Sequence, residues 1–391
     1  MFFKTQKRSK TTVIVRNFVM TTAICMLLFP TSYEVTAEAA EQKPPEMLSY
    51  NQVDVPGGSI FEHRNDSMSF TGIQGDEIVT KTIGAYGHIR LESNFSAPLE
   101  YVSDVLQSAD QGYLLAGGNE IYKVTKNGEI EWTYAMDEEE VYIRSIDQLL
   151  DGSFVGVASA HNNQTNTNQI SIIQLSSTGE VTRRIEVQDE SFNDIQSIQP
   201  TSDGGFVLSG EVYRSGQTEE NIYLAKYDHT GSVVWKQYLT PADDSQNIKV
   251  LSTTEGIDGQ IVASGYYNHP NSDGGYRYLT TGFVLAVDAE GAKQWIKTPD
   301  PALDRSMLND IQHTPDGGYI ATGKVNEDWH GTVATQWVWK LDSHGNTKWT
   351  KSIHRANYDA GVKVQPLSNG QSLLIGTADG LTTLIKIDAD K

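Results

Sequence analysis

From about residue 60 onward the chain is written in short alternating runs. Examples are "IQSIQP", "GFVLSGEV", "IYLAKYD" and "SVVWKQYL", which set Val, Ile, Leu and Tyr between turn residues; no stretch of comparable length has a helical period. Such runs predict β-strands. They come in fours, and the fours repeat around a nine-residue landmark: "SDGGFVLSG" at 202–210, "PDGGYIATG" at 315–323, "IDGQIVASG" at 257–265 and "ADQGYLLAG" at 109–117. In each copy Asp or Asn stands seven positions before a small residue, and the opening turns fall at Asn65, Asp110, Asp151, Asp203, Asp258, Asp316 and Asn369. Successive closing residues lie 41 (Gly117 to Ala158) to 58 (Gly265 to Gly323) residues apart, the spacing of propeller blades rather than of helical repeats. The pattern predicts an all-β fold, a seven-bladed β-propeller with four-stranded blades.

Two turns recur within each repeat. Asp203-Gly204 reads as a tight hairpin between the first two strands, and Asp228-x-x-Gly231 as a second turn between the third and fourth. Four positions after the second glycine stands Trp132, Trp235, Trp295 or Trp349, with Leu91 and Arg183 in two weaker copies. A tryptophan that recurs at one register is expected to cover the neighbouring blade. The last repeat stops at "TLIKIDADK", in its third strand, and an open edge there would invite aggregation. Counting back from the first landmark assigns the missing outer strand to residues about 46–53 at the other end of the chain.

The first 39 residues follow another pattern. Lys4, Lys7, Arg8, Lys10 and Arg16 precede an apolar run from Phe18 to Phe29, and small residues follow at Ala37 and Ala39. That is the layout of a secretory signal peptide; the run is shorter than the ~20 residues of a membrane span, so the mature chain is expected to have none. The division is then 1–39 signal peptide and 40–391 a single propeller domain, expected to be secreted, with association with the cell envelope the further expectation. Removing the leader takes the net charge from −20 to −23, which argues against nucleic acid and anionic membrane surfaces as partners. Cys25, the single cysteine, lies in the leader, so the mature chain forms no internal disulfide. A monomer is expected.

The motif D-G-G-[FY]…K-x-D-x-x-G-x-x-x-W, present as "SDGGFVLSG…LAKYDHTGSVVW" and "PDGGYIATG…VWKLDSHGNTKW", resembles a repeat of bacterial extracellular propellers. That group looks like a branch of the quinoprotein-dehydrogenase-like (PQQ-like) superfamily, and the resemblance covers about residues 60–391. It implies a fold with tryptophan-docking turns. Enzymatic quinoproteins of that superfamily usually show eight blades and, in the alcohol-oxidising type, neighbouring cysteines. This chain has seven repeats and no mature cysteine, so no quinone cofactor is expected.

The loops joining strands two and three are long in four consecutive repeats: "SAHNNQTNTNQ", "VYRSGQTEEN", "YYNHPNSDGGYRYLTTG" and "KVNEDWHGTVATQ". They are expected to raise a wall along one side of the funnel mouth. Tyr213, Tyr266, Tyr267, His269, Tyr276, Tyr278, Trp329 and His330 on these segments are the candidate ligand-binding residues, suited to sugar rings or peptide side chains; the alternative is that they pack among themselves. Asp104, Ser145, Ser197, Ser252 and Asp310 occupy matching inner-strand positions and are expected to line a polar funnel. Acidic linkers such as "MDEEE" and "PADDS" make calcium the one cofactor to consider, against the plainer reading of a solvated surface. No zinc-like cluster, H-E-x-x-H or G-x-S-x-G motif occurs. A secreted module that binds a polysaccharide or peptide is therefore expected ahead of an enzyme. The alternative is a carbohydrate-active hydrolase or lyase with funnel carboxylates, and a PQQ-type dehydrogenase ranks last.

Overall fold

The computed structural model describes residues 44–388 except 53–58, 63–67, 75–76, 84–88, 97, 100–101, 138–139, 163–166, 214–219, 271–277, 300–304 and 328–331. These residues form seven antiparallel four-stranded blades, and their only helical element is a 3-10 turn at Ile257–Gly259. The inner strands, in order, are Ser59–Glu62, Asp104–Gln107, Val141–Gln148, the second half of Val181–Pro200, Gln246–Glu255, Ser306–His313 and Asp359–Pro366. Val181–Pro200 runs without a break from the outer edge of blade 3 to the inner edge of blade 4, so these two blades share one seven-stranded sheet.

The ring closes as the strand count requires. Met47–Gln52 pairs antiparallel with Leu381–Ile387, the third strand of blade 7, with Ser49 opposite Lys386 and Asn51 opposite Leu384. Asp388 N–H donates to the Glu46 carbonyl at 3.0 Å, extending the seam by one bond.

The core lies between blades. In blade 5, Ile261, Ala263 and Leu285 pack toward Val207, Ile222 and Leu224 of blade 4. Their immediate neighbours Val262, Val284 and Ala286 pack toward Leu308, Ile311 and Trp337 of blade 6. Alternation in these strands thus separates two buried faces, so apolar residues run almost continuously through the middle strands.

Two repeated motifs find their reason here. Trp132 Nε1 donates to the carbonyl of Ser177, in the Ser176–Gly179 turn of blade 3, and Trp235 Nε1 to that of Ala289, in the Asp288–Gly291 turn of blade 5. In blade 1 Leu91 takes the tryptophan's register opposite Lys81, and the ring of Phe95 lies over the next turn glycine, Gly128. The Lys of K-x-D holds the aspartate of the hairpin, Lys226 reaching Asp203 at 2.7 Å and Lys340 reaching Asp316 at 2.8 Å, and Lys123, at the same position in blade 2, reaches Asp110 at 2.8 Å.

Candidate functional site

Antiparallel pairing sends the Asp-Gly hairpins to one face and the strand-two-to-three connections to the other. The second face is uneven. In blade 2 the second and third strands have five residues each, Tyr113–Gly117 and Glu120–Val124, whereas in blade 5 they have ten, Ile261–Pro270 and Tyr278–Val287. Blades 3, 4 and 6 carry strands of eight or nine residues there. Inner strands begin on this same face, so their first residues and the last residues of the second strands together form the funnel mouth.

A backbone irregularity shapes the funnel. In five blades the inner strand slips by one residue against the second strand at the same level, at Arg144, Gln196, Leu251, Asn309 and Val362. This β-bulge turns the following side chain and pushes the preceding carbonyl toward the second strand. A Cβ at Gly265 would overlap the Lys249 carbonyl, and one at Gly323 the Met307 carbonyl, which explains the small residue that closes those landmarks.

The residues just past the bulges are Ser145, Ser197, Ser252, Asp310 and Lys363, with Asp104 at the same register in blade 2. Asp104 and Asp310 do matching work. Each accepts a main-chain N–H from the next inner strand, Asp104 from Ile146 at 3.0 Å and Asp310 from Val364 at 2.8 Å. Ser252 donates to Asp310 at 2.7 Å, and Ser197 and Ser209 share a hydrogen bond of 2.8 Å. Burial raises both aspartates above the usual carboxylate range, opposed by these hydrogen bonds and by Lys363. Asp147, lower in the same channel, is pushed up to about 7 by burial, with the Asp104 charge adding to the effect. Lys363 is the cation that Asp104, Asp147 and Asp310 share. Neither Lys363 nor Asp147 stood out in the sequence, because the level of an inner-strand residue depends on a bulge that no residue type marks.

At the mouth, Glu211 of blade 4 is buried. It accepts the Val250 N–H at 2.7 Å and the Lys249 ammonium at 3.1 Å. Burial lifts its carboxyl to about 7 even with these partners and Gln196 beside it. Asp194 completes the cluster 3.9 Å from Lys249.

Of the wall aromatics, Tyr213 and Tyr278 are exposed, and Tyr266 stands half-buried opposite Lys249. Tyr213 lies close enough to Glu220 and Lys249 to feel both charges. Tyr267 departs from the expectation: it is only 6% exposed and packs in the core against Phe283, because strand alternation turns it opposite to Tyr266. The His269 ring lies tilted beside that of Tyr267, centroids 5.7 Å apart, and within hydrogen-bond distance of Thr281 Oγ1, at 3.0 Å. Tyr276, Trp329 and His330 lie outside the described residues. Among the described residues no group of three or more His, Cys, Asp or Glu side chains is gathered to hold a metal ion.

No family model and no curated protein matches this chain. Solved structures do match in shape. A chain of the Mitotic Checkpoint Complex aligns over 95% of this chain and 99% of its own length, at TM-score 0.51 and 10% identity. Polysaccharide lyase Uly1 aligns over 91% and 94%, at TM-score 0.52 and 11% identity. A chain from the structure of BBS1N in complex with ARL6DN aligns over 88% and 97%, at TM-score 0.53 and 12% identity. At such identities the likeness shows the β-propeller fold and nothing finer.

Proposed function

We propose that this chain is an exported binding module that holds a polysaccharide at the cell envelope across the wall-side mouth of its propeller. The observation that carries this reading is the lopsided mouth: strands lengthened on four consecutive blades present Tyr213, Tyr266 and Tyr278 beside polar side chains at one end of the ring. Flat amphipathic rings next to hydrogen-bonding groups suit sugar faces. The funnel carboxylates of Asp104 and Asp310 are meanwhile engaged by main-chain amides, a use that ties blades together. A polysaccharide lyase of the same overall shape is consistent with a glycan ligand.

The test is a glycan and peptide array probed with the chain from residue 40 and with Tyr213→Ala and Tyr278→Ala. Glycan binding weakened by either variant supports the reading; peptide binding alone, or glycan binding indifferent to both, overturns it.

One observation favours a hydrolase or lyase instead. Asp147, raised to about 7 beside Asp104, is poised to exchange a proton near neutral pH, the condition for general acid or base catalysis. Chain cleavage of a bound polysaccharide that Asp147→Asn abolishes would establish that reading over simple binding.

A further inference from the structure

The chain carries 50 acidic and 30 basic residues, so its lysines and arginines have carboxylates in excess to pair with. Several buried or half-buried cations of the blades do so: Lys123, Lys226, Lys249, Lys340 and Lys348 each sit within 3.1 Å of an aspartate or glutamate oxygen. Two cations at the funnel mouth do not. Among the described residues neither Arg144 nor Lys324 has a carboxylate partner.

Each of the two is held by a tyrosine instead. Arg144 is the exposed bulge residue of blade 3; its Nε donates to Ser159 Oγ at 2.8 Å, and its guanidinium carbon lies 5.9 Å from the ring centroid of Tyr142, which is 50% exposed. With Nε anchored, the outer edge of the guanidinium fork is oriented and left for a planar anion. Lys324 follows the landmark glycine of blade 6. Its ammonium donates to the Tyr358 hydroxyl and lies 4.8 Å from that ring's centroid. Blades 3 and 6 stand on different sides of the ring, so a ligand that reaches both cations extends across the mouth. Between them Lys249 stands opposite Tyr266 in its strand pair, and its charge is neutralised by Glu211 and Asp194.

Resting on the polysaccharide-binding reading above, we infer that the mouth takes an acidic glycan, a chain of uronic acid residues whose carboxylates pair with Arg144 and Lys324 while sugar faces lie on Tyr142 and its neighbours. Acidic linkers enter the inner strands on this same face, at residues 136–140 and 241–245, so attraction of such a polymer depends on these two cations and is sensitive to salt. A neutral glucan would gain nothing from either cation.

The experiment measures affinity of the chain from residue 40 for polygalacturonate and for the same polymer with its carboxyls reduced to alcohols, at low and high salt. Arg144→Gln, Arg144→Lys and Lys324→Gln are compared, with unchanged melting temperatures as the folding control. The acidic polymer should bind more tightly and lose affinity with salt, and each Gln variant should weaken it by about tenfold or more while leaving the reduced polymer unaffected. Arg144→Lys should fall between, having charge without the fork. Equal affinity for the two polymers, or acidic binding indifferent to all variants, overturns the inference and leaves polysaccharide binding standing. A chain that binds neither of them but retains neutral glycans on the array has the same meaning, whereas one that retains no glycan overturns both.

Discussion

The indole of Trp235 lies over Gly291 of the next blade, and its Nε1 donates to the Ala289 carbonyl at 2.8 Å. Gly291 has φ +85°, and a Cβ there would stand 2.7 Å from the ring. Trp235→Ala therefore removes a buried aromatic and a satisfied donor together, and should cost about 3–5 kcal/mol in equilibrium denaturation. Gly291→Ala should destabilise by a smaller amount, about 1–2 kcal/mol for the left-handed backbone, plus the displacement of the ring. A Gly291→Ala protein as stable as the parent would show that the ring does not rest on this turn.

Stability should peak in mildly acidic solution. Asp203 is held at about 2: partial burial pushes it up, but Lys226, Thr201 and the Gly205 amide more than offset that, and Asp110 is held at about 2 in the same way by Lys123, Ser108 and Gly112. A depressed carboxyl contributes stability above its unfolded value of about 3.8, and this is lost as pH falls toward 2. Both aspartates are more than half exposed, so this acid limb is shallow. Glu211 and Asp147 act in the opposite sense. Raised by burial to about 7, they favour the folded state while protonated, fully below their unfolded values of 4.5 and 3.8, and that contribution is lost as pH rises through 7. Melting temperature should thus fall between about pH 5 and pH 8, and Glu211→Gln combined with Asp147→Asn should flatten that fall. An unaltered slope in the double variant would remove these two groups as its source.

Lys226 should prove more than a surface charge. Its ammonium is buried between Thr201 and Asp203, and its stem crosses the hairpin. Lys226→Met keeps the stem and removes the donor, leaving Thr201 and Asp203 without it, and should cost about 1–3 kcal/mol in denaturant midpoint experiments. Asp203 should then titrate closer to 3.8, a change that carboxyl NMR reads directly.

Much of the fold was legible because its determinants are local. Asp203-Gly204 and Asp228-x-x-Gly231 are turns whose residue types follow from backbone geometry, and Trp132, Trp235 and Trp295 recur because each covers the turn glycine of the following blade. The closing strand was legible from strand counting alone. The funnel was not, because its layering depends on bulges, and Arg144, Gln196, Leu251, Asn309 and Val362 share no chemistry that would mark them. Lys363 therefore looked like an ordinary strand lysine, although its charge acts on carboxylates of three other blades. Tyr266-Tyr267 shows the same limit on the wall. Two adjacent tyrosines cannot both face solvent from one strand, and which of them is buried is decided by contact with Phe283 in the neighbouring strand.

The seam admits a direct test. Met47 packs against the cluster that contains Trp349, Ile353, Ile385 and Ile387, and Lys351 Nζ donates to the Pro45 carbonyl at 2.8 Å, so the first described strand is tied by side-chain packing as well as by its ladder. A chain that starts after Gln52 leaves the edge of Leu381–Ile387 unpaired, and should melt at lower temperature and self-associate in size-exclusion chromatography. The complementary variant locks the seam. Ser49 and Lys386 are directly paired, and in a chain from residue 40, which has no cysteine, Ser49→Cys with Lys386→Cys places two thiols on adjacent strands. The disulfide would close almost the whole chain into one loop and should stabilise by about 2–4 kcal/mol, an increment that vanishes on reduction. A truncated chain that melts like the parent and stays monomeric, together with a cysteine pair that cannot be oxidised without unfolding, would mean that the ring is sealed in another way.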